Sequence, residues 1–426
     1  MLDRAACETP EPNAAAERSD AGDPRPASPR GAMSRRNDTI DFWRGLVLVT
    51  ITINHVPGNL LEHLTHRNIG FSDAAEAFVF ISGLALAIIY GPRVAREGAW
   101  PTTRRNLARA LELYRTHLAL TAFAIVAFAA LALLTGAEEL LSAHGRAPLF
   151  EHTPEALVGL VALTYQIGYF NILPLYVVLM LAAPLLFLVA RRFGPWWMLG
   201  VSFAAYVAGR ALPLDLPSWP EGAGGWFFDP VTWQFLFALG MAAGLRWRGD
   251  APPRSPAVIG ASAAIVALAW IVVTEAFGAL PGLRGAVMPH LDLGKTELGL
   301  GRILHAAALA YLLVVLRVAD AAGQGAIGAE LKRLGRHGLP VFVAGSMLAA
   351  LGQALTIVAA ENRLDGVEVI AMLYTLASIG FLVLMARARE WSSSASSAAA
   401  LPEAARSPLA PAPVPLASRS SRSQLP

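Results

Sequence analysis

The sequence predicts an all-α polytopic integral membrane protein of about ten transmembrane helices, with both termini on the cytoplasmic side. Three observations carry that prediction. Of the 426 residues, 55% are hydrophobic and only 15% charged, with a mean hydropathy of +0.49, whereas soluble domains run nearer a quarter charged. Ten apolar runs are long enough to cross a hydrocarbon core, at about 39–57, 73–91, 108–135, 170–190, 196–213, 230–246, 256–278, 297–317, 338–360 and 366–386. Finally, the loops between these runs alternate between rich and poor in arginine and lysine.

Taken in order, residues 1–36 contain no apolar run for a signal peptide and read as a disordered cytoplasmic leader. Arg35 and Arg36 then place the start of the first span inside. The later inside loops hold Arg93, Arg96, Arg104 and Arg105; Arg191 and Arg192; Arg246, Arg248 and Arg254; Arg317, Lys332, Arg333 and Arg336; and Arg387 with Arg389. Outside loops hold only Arg67, Arg146, Arg284, Lys295 and Arg363. A further apolar piece at 155–167 is too short to span comfortably and reads as re-entrant or interfacial. Counting it as a span would reverse every later loop and destroy the asymmetry. Residues 37–390 form the bundle, and 391–426, opening with Trp391-Ser-Ser-Ser, read as a disordered Ser/Ala/Pro-rich cytoplasmic tail.

Several function classes fall away. The formal charge is +3 and the basic residues are scattered over segment ends, which excludes a nucleic-acid stripe. The single cysteine, Cys7, excludes an intrachain disulfide and a cysteine metal site, and no other metal-ligand spacing is visible. No loop is long enough for a separate domain, and no internal repeat of the transporter kind stands out. The chemistry belongs to the bundle and its short loops.

Arg44 and His55 lie eleven residues apart in the first span. At about 100° and 1.5 Å per residue, they return to one helix face roughly 16 Å apart. Asp41 and Thr52 fall near the same stripe, so that face reads as a polar ladder across most of the membrane. Ionisable groups there are costly and normally face a bundle interior or a watered cavity. The second span opens with Ser72-Asp73-Ala-Ala-Glu76, whose acids suit a helix N-terminus and sit at the depth of His55. A histidine beside a carboxylate is equipment for general-base activation of a hydroxyl, although capping alone also accounts for the acids. Arg44 reads as a seat for a phosphorylated donor or as a snorkelling anchor. Arg105, Arg109 and Glu112 share a face at the start of the third span, with Tyr114 and His117 following. Trp226-Phe-Phe-Asp229-Pro-Val-Thr-Trp233-Gln234 offers aromatic faces for a sugar or an interfacial belt. Lys295, Arg302 and His305 enter the eighth span as further candidates.

These residues resemble a known family. Arg44-x10-His55 is similar to the first-span motif of the membrane acyltransferase-three superfamily. Asp41-Phe-Trp-Arg44-Gly45, His55-Val-Pro57-Gly58, Gly70-Phe-Ser-Asp73-Ala-Ala-Glu76-Ala-Phe-Val-Phe-Ile-Ser82-Gly83, Leu173-Pro-Leu-Tyr176 and the Trp226–Gln234 block resemble the OpgC family from about 37 to 385. The resemblance implies a ten-helix bundle in a bacterial inner membrane that succinylates osmoregulated periplasmic glucans, with cytoplasmic succinyl-CoA as donor. It maps the essential histidine onto His55 and the first-span arginine onto Arg44. Paired span-three arginines correspond to Arg105 and Arg109, separated here by three residues rather than two.

The resulting expectation is a transmembrane acyltransferase with no bound cofactor. Acyl-CoA is the co-substrate, docking near Arg44, Asp41, Arg105 and Arg109. His55, oriented by Glu76 or Asp73, deprotonates a glycan hydroxyl held by Trp226, Trp233 and Gln234, with direct transfer or an acyl-histidine as alternatives. The competing readings are an acyltransferase for another envelope glycan and a proton-coupled transporter built on the same polar stripe.

Overall fold

A computed structural model describes residues 38–212, 214–220, 225–247 and 251–399. The leader and the tail beyond Ala399 lie outside them. Every described secondary-structure element is helical. Twelve helices have ten or more residues: α1 (Asp38–Asn54), α2 (Ala74–Glu97), α3 (Ala99–Thr135), α4 (Thr153–Ala162), α5 (Ile172–Phe193), α6 (Pro195–Ala211), α7 (Pro230–Trp247), α8 (Pro256–Gly278), α9 (Leu300–Val315), α10 (Ala326–Arg336), α11 (Gly338–Glu361) and α12 (Val367–Ala399).

A helix occupies each of the ten predicted apolar runs. Six of them, α2, α3, α5, α8, α11 and α12, are long and apolar enough to cross a membrane, which makes this a multi-pass membrane protein. The remaining four, α1, α6, α7 and α9, have 16 to 18 residues, or about 24–27 Å against a hydrocarbon core of about 30 Å. The segment at 155–167 becomes α4, only ten residues long, and it ends where Leu163 adopts a left-handed conformation (φ 62°). It is tied to α3 by the Tyr114 hydroxyl, which donates to Val161 O (2.7 Å).

Two differences from the sequence reading concern elements outside the apolar runs. Residues 326–336, expected as loop, form the strongly amphipathic α10. Residues 391–399, assigned to the tail, continue α12 as helix to Ala399. Backbone hydrogen bonding propagates through alanine and serine once a long helix is nucleated, so a compositional boundary did not stop it.

Helix packing depends on small residues. A Cβ on Gly83 of α2 would lie 2.1 Å from Phe237 O of α7, and one on Gly240 would lie 2.1 Å from Phe80 O. Gly240-x3-Gly244 therefore lets α7 bring its backbone onto α2, the close approach that stabilises helix pairs where lipid supplies no hydrophobic drive. Gly45 and Gly335 do the same for α1 and α10, where a Cβ would meet Leu331 O at 1.9 Å and Asp41 O at 1.8 Å. Polar bonds lock other pairs: Asn106 of α3 donates to Met180 O of α5 (2.6 Å), and Ser202 of α6 donates to Gln234 of α7 (2.6 Å).

Candidate functional site

α1 ends immediately before His55, and the reason is local. Pro57 and Gly58 (φ 75°) stop the helix, and the fully buried Asn59 turns back to satisfy the freed carbonyls. Its amide donates to Ile53 O (2.8 Å) and Val56 O (2.6 Å), while Gln353 of α11 donates to His55 O (3.1 Å). The backbone beneath His55 is thus fixed, and the imidazole projects into a cavity of about 590 Å³.

Opposite it stands the α2 N-terminus, where Asp73 and Glu76 form a reciprocal capping box. Asp73 Oδ1 accepts from Ala75 N (2.8 Å), and Glu76 Oε2 accepts from Asp73 N (2.8 Å). Their remaining oxygens take cations from a distant part of the chain. Arg302 of α9 donates through Nε to Glu76 Oε1 (2.6 Å) and through Nη2 to Asp73 Oδ2 (3.2 Å), and Lys295 Nζ pairs with the same Asp73 oxygen. Glu76 is completely buried, so an unpaired charge there would be strongly destabilising.

Tyr169 lies between two histidine rings, 4.9 Å from His55 and 4.8 Å from His144, both edge-on. It holds a left-handed backbone (φ 70°), which is rare for a bulky residue. Burial, with Arg146 behind it, pushes the His144 imidazole below its usual pKa, and burial raises that of the Tyr169 phenol. His144, Gly168, Asn171 and Phe227 also line an adjoining cleft of about 430 Å³. Its other walls include Tyr165, Trp219, Trp226 and the polar Thr164, Gln166 and Thr296, with no Asp, Glu, Lys or Arg among the described lining residues.

A second cavity of about 630 Å³ surrounds the Arg44 end of α1. Six arginines line it: Arg44, Arg93, Arg105, Arg109, Arg336 and Arg389. Arg44 Nη1 is steered by Asp41 Oδ1 and Gly335 O, both at 3.4 Å. Arg105 pairs with Glu97 (2.6 Å), Arg109 with Glu112 (2.7 Å), and Arg336 with Glu390 (3.1 Å). Arg93 and Arg389 have no anionic partner among the described residues. The two cavities share no lining residue; on the wall of the second, Phe78 packs on Tyr176 (centroids 5.3 Å) and Phe342 (5.9 Å).

The sequence pattern of the OpgC protein family matches residues 36–394, most of the chain. The chain belongs to the OpgC family. Comparison with curated proteins and with solved structures gives no match.

Within this member of the family the predicted site residues separate into distinct groups. His55, Asp73, Lys295 and Arg302 meet at one cavity, and Arg44, Arg105 and Arg109 at the other. Asp41 steers Arg44 rather than lining the cavity itself. The expected histidine–acid pair is corrected: neither Asp73 nor Glu76 hydrogen-bonds His55, because capping and the two cations occupy their oxygens. The polar ladder along α1 is corrected too. Thr52 turns against Gly345 of α11 and bonds its own helix at Leu48 O (3.0 Å), leaving two separate polar ends.

Trp226 faces the uncharged cleft, but Trp233 and Gln234 do not. Trp233 is fully buried, with Nε1 donating to Lys295 O (3.0 Å) and Thr296 O (3.1 Å), and Gln234 is consumed by Ser202 and Val231 O. Asp229 caps α7 through Val231 N and Thr232 N. Tyr114 tethers α4. His117 is buried beside Thr121, and His305 shares a 2.8 Å hydrogen bond with Ser72 Oγ. None of the three lines the His55 cavity or the arginine cavity.

Sequence reasoning missed Arg67, His144 and Tyr169 around His55, and Arg93, Arg336 and Arg389 around Arg44. In the sequence those arginines read only as topology signals. The left-handed Tyr169 has no signature beyond the preceding Gly168.

Proposed function

We propose that this protein is a transmembrane O-acyltransferase, moving an acyl group, in the family's pattern succinyl, from a cytoplasmic acyl-CoA to a hydroxyl of a periplasmic glucan. The observation that carries the reading is the pair of cavities at the two ends of α1, one lined by arginines and one by His55. Phosphates suit the first, since guanidinium groups bind them through paired, charge-assisted hydrogen bonds. Arg93 and Arg389 have spare donors for them. A pantetheine arm must then span about 16 Å to bring its thioester to His55.

At the far end His55 acts as general base on the attacking hydroxyl. The adjoining cleft supports a saccharide acceptor. Its aromatic rings match the C–H faces of a sugar, and its amides and hydroxyls match sugar hydroxyls. In this reading all ten apolar helices cross the inner membrane, both termini are cytoplasmic, and the arginine cavity opens inward. The test is purified protein in nanodiscs with succinyl-CoA and linear or cyclic glucan. Thiol release and a mass increase of the glucan are expected, and both vanish in His55→Ala. Full activity in a correctly inserted His55→Ala variant would reject the reading.

A further inference from the structure

Among the described residues no carboxylate hydrogen-bonds the His55 ring, so what completes the reacting site is sought among the other groups facing its cavity. Three described cations face it: Arg67, Lys295 and Arg302. Arg67 is exposed and makes no ion pair among the described residues, so nothing holds its guanidinium in place. Arg302 spends Nε on Glu76 and Nη2 on Asp73, with its side chain only 12% exposed. Lys295 differs from both. An ammonium has three donors; Asp73 takes one, and the side chain remains 31% exposed toward the cavity.

Its position is also fixed from several sides. Trp233 holds the backbone at Lys295 O and Thr296 O, Asp229 N donates to Thr296 O (3.1 Å), and the Tyr206 hydroxyl donates to Leu298 O (2.9 Å). The ammonium lies 5.8 Å and 5.7 Å from the ring centroids of Phe227 and Phe228, a contact that steadies a cation without consuming a hydrogen-bond donor. Phe227 itself lines both the His55 cavity and the uncharged cleft. Lys295 therefore stands where the acceptor cleft opens onto the histidine.

We infer that Lys295 is a catalytic residue, whose ammonium stabilises the oxyanion formed when the acceptor hydroxyl attacks the acyl carbonyl. The inference rests on the acyl-transfer reading above. As the hydroxyl oxygen bonds to the carbonyl carbon, its proton passes to His55 and the carbonyl π pair becomes an alkoxide facing Lys295. Collapse re-forms the C=O bond and breaks the C–S bond, and the leaving thiolate takes the proton back from His55. Nothing is oxidised or reduced, and both protein groups return to their starting state. Asp73 is then a positioning residue, aiming the ammonium.

The experiment is steady-state kinetics of Lys295→Met, Lys295→Arg and the double variant Lys295→Met/Asp73→Asn, full-length in nanodiscs with acyl-CoA and glucan. Loss of one preorganised oxyanion donor lowers kcat about 10²- to 10³-fold. Lys295→Met should show that loss with KM for both substrates changed by less than about threefold. Lys295→Arg, which keeps charge and the Asp73 contact, should retain clearly more rate, and the double variant should be as slow as Lys295→Met. Equal loss in the Arg and Met variants would overturn the inference. So would recovery of rate in the double variant, because Lys295 would then serve only to neutralise Asp73. An active His55→Ala would instead reject the acyl-transfer reading itself.

Discussion

Arg93 and Arg389 face the second cavity without an anionic partner among the described residues, whereas Arg105 and Arg109 face it already paired with Glu97 and Glu112. That difference orders the donor-site mutations. A charge-assisted hydrogen bond contributes about 1.5–3 kcal/mol, so Arg93→Ala and Arg389→Ala should each raise the apparent KM for acyl-CoA about 10-fold or more. Arg105→Ala, whose side chain is 57% exposed and turned to Glu97, should change it less than about threefold. Donor titrations at saturating glucan measure all three, and the reverse order would remove the phosphate-binding role from Arg93 and Arg389. Legibility in the sequence follows the same physics. Arg44 and His55 were readable because ionisable groups inside an apolar run are expensive. Arg93 and Arg389 were not, because basic residues at a span end are the ordinary topology signal. Lys295 and Arg302 were visible as candidates, yet their pairing with Asp73 and Glu76 joins positions more than two hundred residues apart, which no spacing encodes.

Among the elements, the α2–α7 pair positions Asp73, Glu76 and the Trp233 clamp, and it depends on glycines. Gly83→Ala puts a methyl against Phe237 O, where it cannot fit without separating the backbones. Overpacking of this kind costs about 1–3 kcal/mol. Gly260→Ala on α8 meets nothing within 4 Å, and alanine is favoured over glycine inside a helix by about 0.5–1 kcal/mol. Thermal unfolding in detergent should therefore show Gly83→Ala below the wild-type midpoint and Gly260→Ala at or above it. Equal midpoints would mean that α2 and α7 are not so closely apposed. Helix existence was legible from apolar runs, since lipid leaves few alternatives to satisfied backbone. The amphipathic α10 escaped notice because it interrupts an inside loop already assigned to topology. Strands played no part in the expectation and none occurs among the described residues.

At the scale of the whole molecule, the acyl-transfer reading requires that the arginine cavity and the histidine cavity open to opposite sides of the membrane. The alternation of basic loops predicts that arrangement, and among the described residues six helices are by themselves long and apolar enough to cross. The four shorter ones, α1, α6, α7 and α9, carry or support His55, Trp233 and Arg302, so orientation and chemistry stand or fall together. The lone Cys7 in the leader is a natural reporter. A membrane-impermeant maleimide should leave it unlabelled in intact spheroplasts and label it after permeabilisation. In a Cys7→Ser background, His63→Cys, on the exposed turn that follows His55, should label in intact spheroplasts, and Arg389→Cys only after permeabilisation. Labelling of His63→Cys and Arg389→Cys from the same side would place both cavities on one face. A donor restricted to the cytoplasm could not then reach a periplasmic acceptor by crossing between them, however well the residues around His55 were arranged.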